Sequence, residues 1–509
     1  MKNLFYVLVF GALVSCHQPA VDDTIPSDFG PFKHGVASGD PLHDRVIIWT
    51  RVTPENDDST ISVNWELATD RGFSKVVHSG EFETSSKRDY TVKVDVSNLK
   101  AGTPYYYRFQ SGNYHSPIGR TKTASTNPDS LRFAVVSCAN YEWGYFTAYK
   151  HIAEKPLLDA VLHLGDYIYE YQPGGYGDTT IGRIHEPPKE LLTLSDYRTR
   201  YAQYRSDEDL QAAHASHPFI TIWDDHEIAN DVYSEGAQNH QPDEGDFSAR
   251  KNAAIQAYYE WLPIREGDKL YRKFDFGSLA DVLMLDERLE GRSKPAESID
   301  DPEYNSPDRR MLGEEQLNWL ENQLSSDQSH WKLIGNQVFF SDLDQSAVFP
   351  NNPKNLDSWN GYPAEKNRLA GFIKSNQISN VIFATGDTHA SWALETVVKE
   401  VALEPVAVEF GTPSINSANY DEYTNLDTAK LSAKLYLSAN PHLRYTNLHD
   451  HGYTLLTLNK EKATARYYYV KTVREPGAEE EMAKKVWVES DSPFIREKVE
   501  KLQAKEESK

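Results

Sequence analysis

Four short strings carry residues able to hold a metal or move a proton, and each follows an apolar run. SCAN presents the thiol of Cys138 behind LRFAVV. GDYIYE presents Asp166 and Tyr169 behind DAVLHL. Asp225 and His226 end FITIWDDHE, and Asp387 and His389 end NVIFATGDTH. Asp and Gly are common turn residues, so one such cluster says little. Three Asp- or His-bearing strand ends, with a lone thiol at a fourth, read as a metal site. The donors are mixed: thiolate and imidazole suit a transition metal, carboxylates and amides a hard cation. Two different ions fit this set better than one. Asp166 is the natural bridge, because a carboxylate has two oxygens to share. Two ions roughly 3.5–4 Å apart can hold a hydroxide and clamp a phosphoryl group for in-line displacement. Ser137 lacks the Gly-x-Ser-x-Gly turn of a serine nucleophile. His163, inside DAVLHL, reads as a packed core histidine, and His214 and His217 fall in helix-to-strand connections.

Positioning these groups requires a sheet. Short, near-continuous apolar runs recur from Leu131: LRFAVV, DAVLHL, FITIW, ADVLML, KLIG and NVIFAT. Helical stretches such as LSDYRTRYAQYRSD and EEQLNWLENQLSS lie between several of them. Buried strands alternating with helices predict an α/β layered domain over residues 131–490. Ligands in such sheets sit outside strand C-terminal ends, so the polar clusters are expected to converge. Residues 31–124 have a different grammar. ISVNWELAT and TVKVDVSNL alternate as half-buried strands do. LKAGTPYYYRFQ places a Gly turn before a Tyr-rich strand, resembling the tyrosine corner of immunoglobulin-like and fibronectin-like domains. The expectation is a β-sandwich of about 95 residues, joined by a turn-rich linker from Thr121 to Ser130. Residues 491–509 read as a charged tail, helical and frayed from about Arg496.

The chain of 509 residues has two cysteines, too few and too differently placed for a disulfide framework. Cys16 ends LVSC behind Lys2 and the apolar stretch Leu4–Val14, the layout of a secretory signal over residues 1–16. That run is far shorter than the roughly 18 residues of a spanning helix. Its end resembles a bacterial lipobox, which implies a lipid anchor at Cys16 and a cell-envelope location, periplasmic or outer-membrane. Lys plus Arg total 53 against 76 Asp plus Glu, a formal charge of −23. That balance argues against nucleic acid or an anionic membrane as the main partner. An anion site here needs concentrated local positive charge, such as metal ions.

GDYIYE, WDDHE and GDTHAS are similar to motifs of the alkaline phosphatase D family of metallophosphoesterases. YRTRYAQYRSDEDLQAAHASHP, WNGYPAEKNRLAGFI, EFGTPSINSAN and NPHLRYTNLHDHGY resemble its connecting segments, and HGVASGDPLHDRVIIWTRVTP the start of its N-terminal β-domain. The resemblance implies an αββα sandwich, iron(III) with calcium, and hydrolysis of phosphate mono- or diesters at alkaline pH. It implies Cys138, Asp166, Tyr169 and His389 as iron ligands, and Asp225 and Asp387 as calcium ligands with Asp166 bridging. Asn336 or Gln337 in LIGNQV stands where related enzymes place another ligand, and His226 where the family protonates the leaving oxygen. Tyr169 has the spacing from the bridging aspartate of a phenolate ligand in purple acid phosphatases. Family members often carry Asn where this chain has Asp231, which puts a second calcium in doubt. Two other functions compete: a phospholipase D-like phosphodiesterase, and a non-catalytic surface protein binding through its β-domain. Retention of His226 and the metal ligands weighs against the second.

Overall fold

The computed structural model describes residues 29–55, 60–326 and 329–498; the signal-like segment with Cys16, and residues 499–509, lie outside them. Each apolar run becomes a strand: Ser130–Val136, Ala160–His163, Pro218–Thr221, Ala280–Met284, Trp331–Asn336 and Val381–Thr385. Four of these are buried at every position, because both faces of the sheet are covered and no polar alternation survives.

The first three strands pair in parallel within a ten-stranded sheet. The last three pair in parallel within a seven-stranded sheet, with Ala402–Gly411 parallel beside Val381–Thr385. The sheets pack face to face. One buried core runs from Phe133 on the first to Phe276, Val282 and Ile382 on the second, and the rings of Phe133 and Phe276 meet edge to face at 5.2 Å. Helices cover the outer faces. Gly313–Ser326 and Pro363–Ser375 bury Leu317, Leu320, Leu369 and Ile373 against Ile334 and Phe383. Thr147–Glu154 and Glu208–Ser216 pack together beside the ten-stranded sheet. Among the described residues, no helix is long and apolar enough to cross a membrane.

The N-terminal region differs from the expected self-contained sandwich. Two layers do pack, with Val63, Leu67 and Tyr107 facing Val36, Ile48 and Val92 in one core. The layer formed by Val36–Gly39, Val46–Arg51 and Thr91–Val96, however, is the edge of the ten-stranded sheet. Val36–Gly39 runs parallel to Pro218–Thr221, with Gly39 opposite Phe219. A side chain at Gly39 would meet the carbonyl oxygens of Pro263 at 2.3 Å and Phe219 at 2.6 Å, so glycine makes the seam possible. The pairing joins positions some 180 residues apart in sequence, and strand periodicity carries no record of so distant a partner. Tyr105 does accept the backbone N–H of Lys100 at 2.9 Å, the bond a tyrosine corner makes.

Two boundaries also move. Thr121 and Lys122 belong to strand Gly119–Lys122, and Ser130 opens the next strand. The connection is therefore only residues 123–129, since Thr121 is buried in the sandwich. The charged tail begins as structure and not as a helix: Ile495–Glu497 pairs antiparallel with Glu480–Glu489.

Candidate metal centre

The parallel strands of both sheets end at one edge of the stack, and their following loops carry the polar clusters. Cys138 follows Ser130–Val136, Asp166 follows Ala160–His163, and Asp225 follows Pro218–Thr221. From the other sheet, Gln337 follows Trp331–Asn336, Asp387 follows Val381–Thr385, and the 412–419 loop follows Ala402–Gly411. Backbone bonds stitch these loops together: Cys138 N–H to Gly165 O at 3.1 Å, Gly386 N–H to Gln337 O at 3.0 Å, and Ile415 N–H to Ser137 O at 3.0 Å.

The motif glycines let the loops approach one another. A Cβ on Gly165, whose φ is +104°, would lie 2.3 Å from the backbone nitrogen of Asp224; one on Gly386 would lie 2.9 Å from Cβ of Ser137. Glu227 fastens the same crossing, its carboxylate accepting N–H bonds from Tyr167 at 2.6 Å, Asp224 at 2.9 Å and Asp166 at 3.1 Å. Cys138, Asp166, Asp387 and His389 all have φ between 55° and 61°. That left-handed region is uncommon for residues with a Cβ, and such strain collects at functional sites where surroundings enforce it.

Three groups of potential ligand atoms result, each within 4.8 Å: Cys138–Asp166–His389, Asp166–Asp225–His226 and Asp224–Asp225–Asp387. Asp166 belongs to two of them, as a bridge must. The Tyr169 hydroxyl lies 3.1 Å from Asp166 Oδ2 and 3.3 Å from His389 Nε2, which places it with the first group. His389 Nδ1 donates to Ala418 O at 2.6 Å, so its Nε2 lone pair is free to bind a metal. Ser417 Oγ is 2.8 Å from the Tyr169 hydroxyl and donates to Cys138 O at 2.8 Å, joining the 412–419 loop to two of these residues.

The electrostatics test whether cations fit. Burial pushes the Asp166 and Asp387 carboxyls well above the ordinary range, with Asp225 and Asp224 among the neighbours adding to it. Burial lifts Asp224 to about 6 and Asp231 to about 7. Burial pushes the Cys138 thiol up too, and Asp166 adds to it. Acids crowded out of water with this little compensation are the environment that a bound cation reverses. Orphaned atoms agree: Asp224 Oδ2 and Gln337 Oε1 are buried without a hydrogen-bond partner among the described residues. Mixed S, N and O donors with free lone pairs fit metal ions.

One fixed cation is already present. Arg288 is fully buried, donates to Asp224 Oδ1 and, at 2.6 Å, to Asp357 Oδ2, and lies 3.6 Å from both Asp225 and Asp387. Burial raises Asp225, but Arg288 and then His226 outweigh it and hold that carboxyl below the ordinary range.

His226 stands at the rim of an open cleft of about 240 Å³, lined by Asp166, Asp225, Asp387 and His389 and walled by Tyr171, Tyr176 and Tyr423. Its Nδ1 is 2.8 Å from Glu170 Oε2. Glu170 Oε1 is itself held by Asn230 N–H at 2.8 Å and Asn239 Nδ2 at 2.7 Å. Burial pushes the imidazole down, yet Asp225, Glu170 and Asp166 outweigh it and lift it well above the usual range.

Of the pair left open in LIGNQV, Asn336 is taken up elsewhere. Its Nδ2 donates to Val338 O and Thr385 Oγ1, and its Oδ1 accepts from Trp359 Nε1 at 3.1 Å. Gln337 instead anchors its amide nitrogen on Trp223 O and Leu285 O, leaving the orphaned Oε1. His163 packs as expected, its Nε2 2.9 Å from the Tyr149 hydroxyl. His214 and His217 bond Tyr167 and Ile152 and stay out of the cleft.

Sequence reasoning did not assign Asp224, Glu170, Arg288 or Ser417. The first two sit inside WDDHE and GDYIYE, so the motif was a signal. Ser417 sits inside EFGTPSINSAN, whose resemblance to a connecting segment gave it no role, and Arg288 follows a strand without any local pattern that marks it.

The PhoD-like phosphatase family model matches residues 133–467, and the model of that family's N-terminal domain matches residues 18–125. Alkaline phosphatase D of Bacillus subtilis (strain 168) is 38% identical over 478 residues, covering 88% of this chain and 79% of that protein. A solved structure of PhoD superposes with a TM-score of 0.84 at 36% identity, covering 92% of each chain. The converging loops, the grouped ligand atoms and these likenesses agree: the chain belongs to the PhoD-like phosphatase family and is a phosphoric ester hydrolase.

Proposed function

We propose that the chain is a metal-dependent phosphatase and phosphodiesterase that uses iron(III) and calcium. The observation that carries this reading is Asp166, which has an oxygen within 4.8 Å of ligand atoms of Cys138 and His389 and an oxygen within 4.8 Å of a carboxylate oxygen of Asp225. Cys138, Asp166, Tyr169 and His389 hold the iron. Asp166, Asp225 and Asp387 hold the calcium, with Gln337 the amide of its pair whose oxygen is free. The helix–sheet–sheet–helix layering supports a metallophosphoesterase sandwich. When bound, such ions supply Lewis acidity, lowering the pKa of water and offsetting phosphate charge.

The chain's own residues do the rest. Glu170 holds the His226 ring so that Nε2 is available to give a proton to the leaving oxygen. Arg288 keeps Asp225 ionised. The tyrosines beside the cleft limit how much water surrounds the ester.

Metal analysis of the purified protein, with kinetics on an aryl phosphate, an aryl diester and a phospholipid, tests the reading. Iron and calcium should both be present, and chelation should abolish turnover until both are restored. Product analysis on the phospholipid separates the phospholipase D-like alternative. A phenolate ligand gives iron(III) a visible charge-transfer band, so native protein should be coloured and Tyr169→Phe should lose or shift the band. A colourless iron-loaded protein, or an unchanged mutant spectrum, would remove Tyr169 from the ligand set.

The mature chain begins at Cys16, lipidated and held at the cell envelope; LVSC behind an apolar run supports this. Mass spectrometry of the N-terminal peptide from cells should find a lipidated Cys16. An unmodified N-terminus downstream of it sinks the anchor.

A further inference from the structure

A second cavity, of about 250 Å³, lies beside the metal cleft, and Asp387 lines both. Its floor is aromatic. The Trp392 indole stands edge-on to Phe339 (5.5 Å between centroids, 80°) and to Tyr436 (5.2 Å, 90°), and Tyr420 meets Tyr436 at 6.4 Å. Trp392 Nε1 donates to Thr388 Oγ1 at 2.9 Å. Thr388 lies between Asp387 and His389, so the cavity wall is tied to the loop that carries both.

Apart from Asp387, shared with the metal cleft, the rim is polar and neutral. Gln345 spends its amide nitrogen on Asn352 O, and Asn355 Oδ1 accepts the Asp357 N–H. That leaves Gln345 Oε1 as an acceptor and Asn355 Nδ2 as a donor with no partner among the described residues. Among the described residues, no Lys or Arg lines the cavity. An apolar floor with a few hydrogen-bonding edge groups is the usual construction of a small-molecule site. A cavity of roughly 150 Å³ already accepts a benzene ring, so this one has room for a single ring.

We infer that this cavity takes the retained substituent of a phosphodiester, a neutral ring-sized group with hydrogen-bonding edges. The assignment rests on the phosphoesterase reading above. His226 groups with Asp166 and Asp225, whereas the cavity opens from Asp387, which groups with Asp224 and Asp225. An ester held over Asp225 directs one oxygen toward His226, where it leaves with a proton, and another toward the aromatic floor. A monoester has one organic group and leaves the cavity empty. The substrate class is thus a diester whose non-leaving alcohol carries a ring.

Phenyl p-nitrophenyl phosphate and methyl p-nitrophenyl phosphate share a leaving group and differ only in the retained one. With the metal-loaded enzyme, kcat/KM for the phenyl ester should exceed that for the methyl ester by about 10–100-fold, after division by their ratio in alkaline solution. That range corresponds to burying one aromatic ring. Leu343→Trp, which fills the cavity, should reduce the ratio to within about threefold of the solution value. Asn355→Trp, at the rim, should do the same, and circular dichroism with metal content reports that each variant has folded. A native ratio equal to that in solution overturns the assignment, as does an undiminished preference in both folded variants. Turnover of p-nitrophenyl phosphate with neither diester cleaved also overturns it, while leaving the phosphatase reading standing. Failure to cleave any ester overturns both.

Discussion

His226→Ala is expected to slow turnover of an alkyl phosphate ester by about 10²–10⁴-fold, the usual worth of a positioned acid, with metal content unchanged. The geometry supports a large effect. The imidazole is nine-tenths buried, its Nδ1 is fixed on Glu170, and its ring lies 4.3 Å from that of Tyr169. The surrounding carboxylates favour the protonated form, the form a proton donor must start from. The loss should shrink for p-nitrophenyl esters, whose leaving group needs little protonation. Steady-state kinetics across a leaving-group series measures this. An equal loss on good and poor leaving groups would mean that His226 positions the ester without donating the proton.

Cys138→Ala is expected to lose iron and activity together, with turnover down by about 10³-fold or more. That is the scale of removing several kcal/mol of Lewis-acid stabilisation at tenfold per 1.4 kcal/mol. Burial and the Asp166 charge hold the bare thiol protonated, and a metal ion is what makes a thiolate favourable there. The fold should survive, because the backbone bonds of Cys138 to Gly165 O and Ser417 N–H do not involve the side chain. The left-handed φ of 59° is no harder for Ala than for Cys. Elemental analysis beside circular dichroism decides the matter. A folded variant with full iron and full rate would reduce Cys138 to packing.

The strands and the loops that carry the candidate ligands were legible in the sequence because local physics encodes both. A strand buried on two faces must be apolar throughout, and LRFAVV, DAVLHL and NVIFAT are. A loop that binds a cation must place carboxylate, imidazole or thiol directly after such a run, and SCAN, GDYIYE, WDDHE and GDTH do. Cys138, Asp166, Asp225, His226, Asp387 and His389 therefore announced themselves, and the structure brings them to one edge of the sheets.

Tertiary structure alone decided what depends on contacts between distant segments. The parallel pairing of Val36–Gly39 with Pro218–Thr221 made the N-terminal layer part of the catalytic sheet. Which of Asn336 and Gln337 keeps an amide oxygen without a hydrogen-bond partner among the described residues turned on the groups the core set against each. Arg288 became the fixed cation of the site only because its strand ends opposite that of Asp224 and Asp225. Periodicity and motif spacing report a residue's own strand and loop. Hydrogen-bond satisfaction and charge pairing are set by whichever residues the folded chain brings within a few ångströms.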